Sequence, residues 1–185
     1  KTDMKHQLLT ILTAMALALN ASASSNEDKA PVRDHGHFAW GAEVGGSIDM
    51  SANDMSTIDF TALIGYRRSW IKFLGVGAGM DIMVNSSCRS FPMFANLKTS
   101  FSSRPQLLFM DVRAGLSVNY LPDDLTQTGA YAFAGVGFNL ASGKRFASHL
   151  TLGYSFVDRR DVNHNEHHIE FSPLHYASVR LGIAF

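Results

Sequence analysis

From His37 onward the chain alternates between apolar and polar or small residues. In His37 to Met50 the even positions are Phe38, Trp40, Ala42, Val44, Gly46 and Ile48, and the odd ones are Ala39, Gly41, Glu43, Gly45, Ser47 and Asp49. A period of two puts these sets on opposite faces of a β-strand. The same period returns in seven further segments, over about 57–68, 73–84, 91–101, 107–120, 129–140, 148–157 and 176–185. In the last of these, Tyr176, Val179, Leu181, Ile183 and Phe185 read as one face, with a slip of period near Ala177. After residue 36 no stretch has the 3.6-residue period of a helix or the long apolar run of a helical span. Segments of about ten alternating residues suit tilted strands crossing a bilayer. The pattern predicts an all-β fold: an eight-stranded antiparallel up-and-down transmembrane β-barrel over residues 37–185. Closure removes the open sheet edges that lipid does not tolerate.

The two faces differ in chemistry. One carries aliphatic residues at mid-strand and aromatics at the ends. Trp40, Tyr66, Trp70, Phe101 and Phe185 fall at one rim, and Phe91, Tyr120, Tyr154, Phe156 and Tyr176 at the other. Aromatic girdles around an aliphatic belt are the signature of a lipid-facing surface. A lipocalin-like soluble barrel would instead turn its apolar face inward. The opposite face holds most of the glycines and the charges. An eight-stranded barrel has an interior that side chains fill, so Glu43, Asp59, Arg67, Asp81, Lys98, Asp111, Arg113 and Arg180 are predicted to form a packed polar network in the lumen. Asp49 and Arg67 lie near the rims, where solvation and a place in the plug are both open to them.

With both termini in the periplasm, the outer connections are 50–56, 85–90, 121–128 and 158–175. The periplasmic ones are 67–72, 102–106 and 141–147, all short, as outer-membrane barrels prefer. Ahead of the barrel, Lys5 and His6 follow Met4, and Leu8 to Leu19 is apolar apart from Thr10 and Thr13. Ala21-Ser22-Ala23 supplies a small-x-small cleavage site. The apolar run is too short to span a membrane and reads as a signal peptide. Residues 1–23 are that signal, with three upstream-start residues before Met4, and 24–36 is a flexible periplasmic leader. Cleavage after Ala23 leaves 14 basic and 15 acidic residues, since Lys1, Lys5 and Asp3 are lost. This balance argues against nucleic-acid binding. The single cysteine, Cys88, allows no intramolecular disulfide and reads as a loop cysteine without a role.

Phe91-Pro92-Met93-Phe94-Ala95-Asn96-Leu97, Gly129 to Gly137, Leu152-Gly153-Tyr154 and Val179-Arg180-Leu181-Gly182-Ile183-Ala184-Phe185 carry a resemblance. The chain resembles the small outer-membrane β-barrels typified by the OmpA membrane domain and OmpX, and most closely the outer-membrane-protein β-barrel domain family of Bacteroidetes type. The resemblance covers residues 37–185 and implies a location in the cell outer membrane. A last strand ending in Phe185 looks like the signal read by the barrel-assembly machinery during insertion. The motifs specify architecture, and the family has no shared catalytic motif.

Chemistry-bearing clusters are sparse. Asp158 to His175 gathers Asp158, Asp161, His164, Glu166, His167, His168, Glu170 and His175. These residue types bind Zn²⁺ or Cu²⁺ in suitable geometry, but the spacing matches no metal motif, and a solvated outer loop is the simpler reading. A lipid-modifying barrel enzyme needs a serine beside a histidine and an acid. Ser178 is on the opposite face from His175, as Ser148 is from His149. His149 and Ser155 share a face about 20 Å apart, at ~3.3 Å per residue. A charged lumen also leaves no apolar space for an acyl chain. The expected function is therefore non-enzymatic: a barrel without cofactor or metal, monomeric in outer-membrane lipids, serving envelope integrity or presenting its loops to a partner. A narrow passive channel is the alternative. Mass spectrometry of the exported protein is expected to find Ser24 as its first residue; an intact residue 1–23 segment would remove the export reading.

Overall fold

The computed structural model describes residues 36–51, 55–68, 71–100, 108–121, 126–142, 146–158, 162–164, 167–169 and 173–185. The signal-peptide reading falls outside these, as does all of the leader except Gly36. So do Trp70 and Phe101, two members of the expected aromatic rim. The strands are β1 (His37–Asp49), β2 (Thr57–Arg68), β3 (Ile71–Met83), β4 (Arg89–Ser100), β5 (Leu108–Tyr120), β6 (Thr126–Ser142), β7 (Ala147–Val157), β8 (Val162–His164), β9 (His167–Ile169) and β10 (Leu174–Ala184). Eight of them close into an antiparallel barrel in the order β1-β10-β7-β6-β5-β4-β3-β2. The remaining pair, β8 and β9, is a small hairpin within the connection from β7 to β10, where the sequence pattern predicts only a loop. Its register sets His164 opposite His167 and Asn163 opposite His168.

Alternation dictates which side of the wall each residue occupies. On β2, Thr57, Asp59, Thr61 and Leu63 are buried, while Ile58, Phe60, Ala62 and Ile64 between them are exposed. The outward apolar residues remain largely uncovered: Phe38 is 64% exposed, Val76 57% and Met93 54%. On the inward side even charged groups are sealed, Asp111 at 0% and Arg113 at 1%. A water-soluble barrel has the reverse distribution.

Large inward residues sit where glycine leaves room, on a neighbouring strand or further along their own. A Cβ built on Gly137 would meet the Phe109 ring at 2.0 Å. One on Gly135 or Gly153 would meet Phe133 Cζ at 2.7 or 2.6 Å, and one on Gly182 would meet His149 Nε2 at 2.4 Å. The narrow lumen thus accommodates its rings by stripping side chains from the wall facing them.

Two irregularities lie at the end of the barrel that holds the N-terminus of β1. In β3, Ile71 pairs with Thr99 and Phe73 with Lys98, leaving Lys72 as an extra residue. In β6, Asn139 pairs with His149 and Ala141 with Ser148, leaving Leu140 extra. At the opposite end Leu174, Tyr176, Val157, Met83 and Cys88 are buried as an apolar cap, with Met55 and Leu121 packed against it.

Two expectations are corrected here. Tyr176 does not join the outer rim: it faces inward at 4% exposure. The period of two runs without a slip from Leu174, so Ala177 is the outward residue and Tyr176 and Ser178 point in. Cys88 lies outside the strands, in the connection where the sequence places it, and its side chain is buried in the cap.

Replacing Gly137 with alanine is expected to lower unfolding stability by about 1–3 kcal/mol through overpacking. Adding Phe109→Leu should restore part of the loss. Urea unfolding in detergent micelles checks both; an unchanged midpoint for Gly137→Ala would contradict the packing argument.

Candidate functional site

The lumen is where the sequence concentrates its charges, and the register builds two clusters there. Asp111 and Arg113 are two residues apart on β5 and so share its inward face. Arg113 grips Asp111 with a fork: Nε donates to Oδ1 at 3.1 Å and Nη2 to Oδ2 at 2.6 Å. Next door on β4, Asn96 stands opposite Arg113 and Lys98 opposite Asp111. Asn96 Nδ2 donates to Asp111 Oδ1 at 2.5 Å, and Lys98 Nζ lies 3.7 Å from Oδ2.

Glu43 comes from β1, four strands away from β5 in either direction round the barrel. It therefore reaches across the full lumen. Arg113 Nη2 donates to Oε2 at 2.5 Å, Lys98 Nζ donates to Oε1 at 2.5 Å, and His149 Nε2 lies 3.0 Å from Oε1. Two carboxylates and two cations interlock, with side-chain exposures between 0% and 6%. Charges so deeply buried persist only when paired and hydrogen-bonded.

A second cluster lies nearer the apolar cap. Asp59 accepts from Ser47 Oγ and Thr57 Oγ1, both at 2.5 Å. Arg180 Nε is 3.8 Å from Asp59 Oδ2. Asp81 stands opposite Asp59 in the β2–β3 register and faces the charges of Arg180 and Arg113. Arg180 Nη2 donates to Tyr131 Oη at 3.1 Å and to Ser155 Oγ at 3.4 Å. Ser47, Ser178 and Ser155 form a hydroxyl chain with 2.8 Å steps. Between the clusters lies Phe133, with Arg180 Cζ 4.3 Å and Arg113 Cζ 5.0 Å from its ring centre. Such contacts stabilise a desolvated guanidinium electrostatically.

The eight residues predicted for the network therefore divide. Glu43, Lys98, Asp111 and Arg113 meet in one cluster, and Asp59, Asp81 and Arg180 in the other. Arg67 joins neither: it is half-buried at the barrel mouth, lining a cavity of about 30 Å³ with Lys72, Lys98, Phe109 and His149. The sequence reading omits His149, Asn96, Tyr131 and Phe133 from the network. Their inward parity was the available signal, but parity does not say which inward groups reach one another. Outside the wall, the Tyr154 hydroxyl contacts His175 Nδ1. Among the described residues no group of three or more His, Cys, Asp or Glu is arranged to hold a metal ion.

Solved structures share this architecture. Neisserial surface protein A aligns with a TM-score of 0.52 at 14% identity, over 82% of this chain and 98% of that one. The fold is that of a small eight-stranded outer-membrane β-barrel. The N-terminal β-barrel domain of Pseudomonas aeruginosa OprF aligns with a TM-score of 0.51, also at 14% identity, over 82% of this chain and all of that one. No family model and no curated protein matches the sequence. The likeness is one of architecture.

Arg113→Met leaves Glu43 and Asp111 buried without their shared cation. It is expected to cost about 3–5 kcal/mol, measured by urea unfolding in detergent micelles. In the Glu43→Gln background the same substitution should cost measurably less, because the groups are coupled. Strict additivity would refute the cross-lumen pairing.

Proposed function

We propose that this chain is a membrane-spanning barrel of the cell outer membrane. In this reading it acts without catalysis, as a closed, plugged element of the envelope that presents its longer connections outside. The observation that carries the reading is the inverted distribution of polarity. The outward belt is apolar and uncovered, while the lumen is occupied by Glu43, Arg113, Lys98 and Asp111 in mutual contact. Lipid would cover the belt, and the ion pairs would block passage.

The geometry also supports a structural role for His149. Its Nε2 lies 3.0 Å from both Glu43 and Lys98, so it serves the plug and not a serine nucleophile. The hydroxyls of Ser47, Ser178 and Ser155 bond to one another. Residues 37–185 form the inserted body in this proposal, preceded by a removable signal and leader, with the termini in the periplasm. Phe185 is the assembly signal. Its backbone exchanges hydrogen bonds with Trp40, at 3.2 and 2.8 Å, and its ring stacks on Trp40 at 4.5 Å.

Two measurements test this. In SDS electrophoresis of the outer-membrane fraction, the unboiled protein is expected to migrate differently from the boiled one. Recovery from the soluble periplasm with no shift would overturn the proposal. In planar bilayers the refolded chain is expected to be silent; reproducible single-channel steps would replace the plugged reading with a narrow channel.

A further inference from the structure

The mouth at the β1 N-terminal end is built differently from the plug beneath it. The bulge in β3 inserts Lys72 as an unmatched residue next to inward-facing Phe73. In regular alternation Lys72 would point outward. Instead it lines the mouth cavity, with its Nζ 5.6 Å from the centre of the inward Phe109 ring. Bulges at barrel rims re-aim side chains in this manner. Arg67 lines the same cavity from β2, and Lys98 Nζ lies on the same ring at 5.7 Å. The second bulge, in β6, falls beside His149, and Asn139, inward by regular alternation, also lines the cavity.

The residues lining the mouth cavity include Arg67, Lys72 and Lys98 and no Asp or Glu. Lys98 and Arg113 are balanced within the plug by Glu43 and Asp111. Arg67 and Lys72 add two positive charges above it, and among the described residues no carboxylate pairs with either. About 30 Å³ of space opens between these cations. At roughly 10–15 Å³ per water-sized centre, it admits about two oxygen-sized atoms and leaves the rest of a ligand outside.

We propose that Arg67 and Lys72, backed by Lys98, form an oxyanion receptor at this mouth that takes a phosphate group, two of its oxygens entering the cavity. Guanidinium and ammonium groups donate charge-assisted hydrogen bonds to phosphate oxygens. The aromatic floor of Phe109 lies under the Lys72 ammonium, while Lys98 approaches the same ring from the plug. The phosphate could come from a phospholipid headgroup or from free inorganic phosphate. The headgroup source rests on the outer-membrane reading, because it requires the mouth to sit at the inner-leaflet interface; the receptor itself does not.

The test uses the full chain refolded in a phosphate-free, non-ionic detergent. Amide NMR shifts are followed during titration with inorganic phosphate and, separately, with phosphatidylglycerol against the matching diacylglycerol, which lacks phosphate. Shifts centred on residues 67–73 and 139–149 are expected, weakened by added salt. The double variant Arg67→Gln/Lys72→Gln is expected to bind about tenfold more weakly or worse, while Lys72→Arg retains binding. Cold SDS mobility of each variant separates loss of binding from loss of the barrel, and keeps this outcome distinct from failure of the outer-membrane reading. Binding of inorganic phosphate assigns the free anion. Binding of phosphatidylglycerol alone, over diacylglycerol, assigns the headgroup. Absence of binding by both probes, or equal affinity in the double variant, overturns the receptor.

Discussion

Glu43 and Arg113 face each other from opposite walls, and the rest of the lumen is arranged around that contact. An eight-stranded barrel is too narrow for a water-filled core and too wide for backbone alone to fill. Any charge directed inward must therefore find its counter-charge among the other seven strands. Arg113 does so on two sides at once, with Asp111 beside it on β5 and Glu43 across the diameter. Lys98 and His149 occupy what remains of Glu43. Arg113 is the member whose loss matters most, because it alone touches both carboxylates within hydrogen-bonding distance.

The wall answers the same constraint. Where a ring or long side chain crosses the lumen, the wall it covers carries glycine, on its own strand or a neighbouring one. Phe109 lies over Gly137, Phe133 over Gly135 and Gly153, and His149 with Glu43 over Gly182. The inward glycines that look like weak strand formers are the complement of the plug. The outward face carries no such constraint, since lipid-like surroundings accept any apolar shape.

Much of this was legible in the sequence, because a period of two is unambiguous when it persists for ten residues. Face assignment followed directly for Glu43, Asp59, Lys98, Asp111, Arg113 and Arg180. What failed was local. An aromatic residue such as Tyr176 suits an outward rim by type, and the small Ala177 gives no signal of facing out. The bulge at Lys72 leaves no mark in the pattern, because one extra residue at a strand end looks like a turn and the alternation becomes regular only from 73. The pairing across the lumen could not be read at all. It depends on the stagger between strands, which is set by closure and not by any one segment. The hairpin β8–β9 is too short for a period to register.

The seam between β1 and β10 sets the seven remaining joins apart. Those join consecutive barrel strands, whereas Gly41 and Ala184 meet from the two ends of the barrel sequence. Until that seam forms, every partial sheet has two bare edges and its half of the Glu43–Arg113 strut is unpaired. Closing it carries the longest loop-closure cost in the molecule. Folding is therefore expected to be slow and concerted, with aggregation through open edges competing against it. A chain of this design depends on being kept unpaired until all eight strands can be brought together.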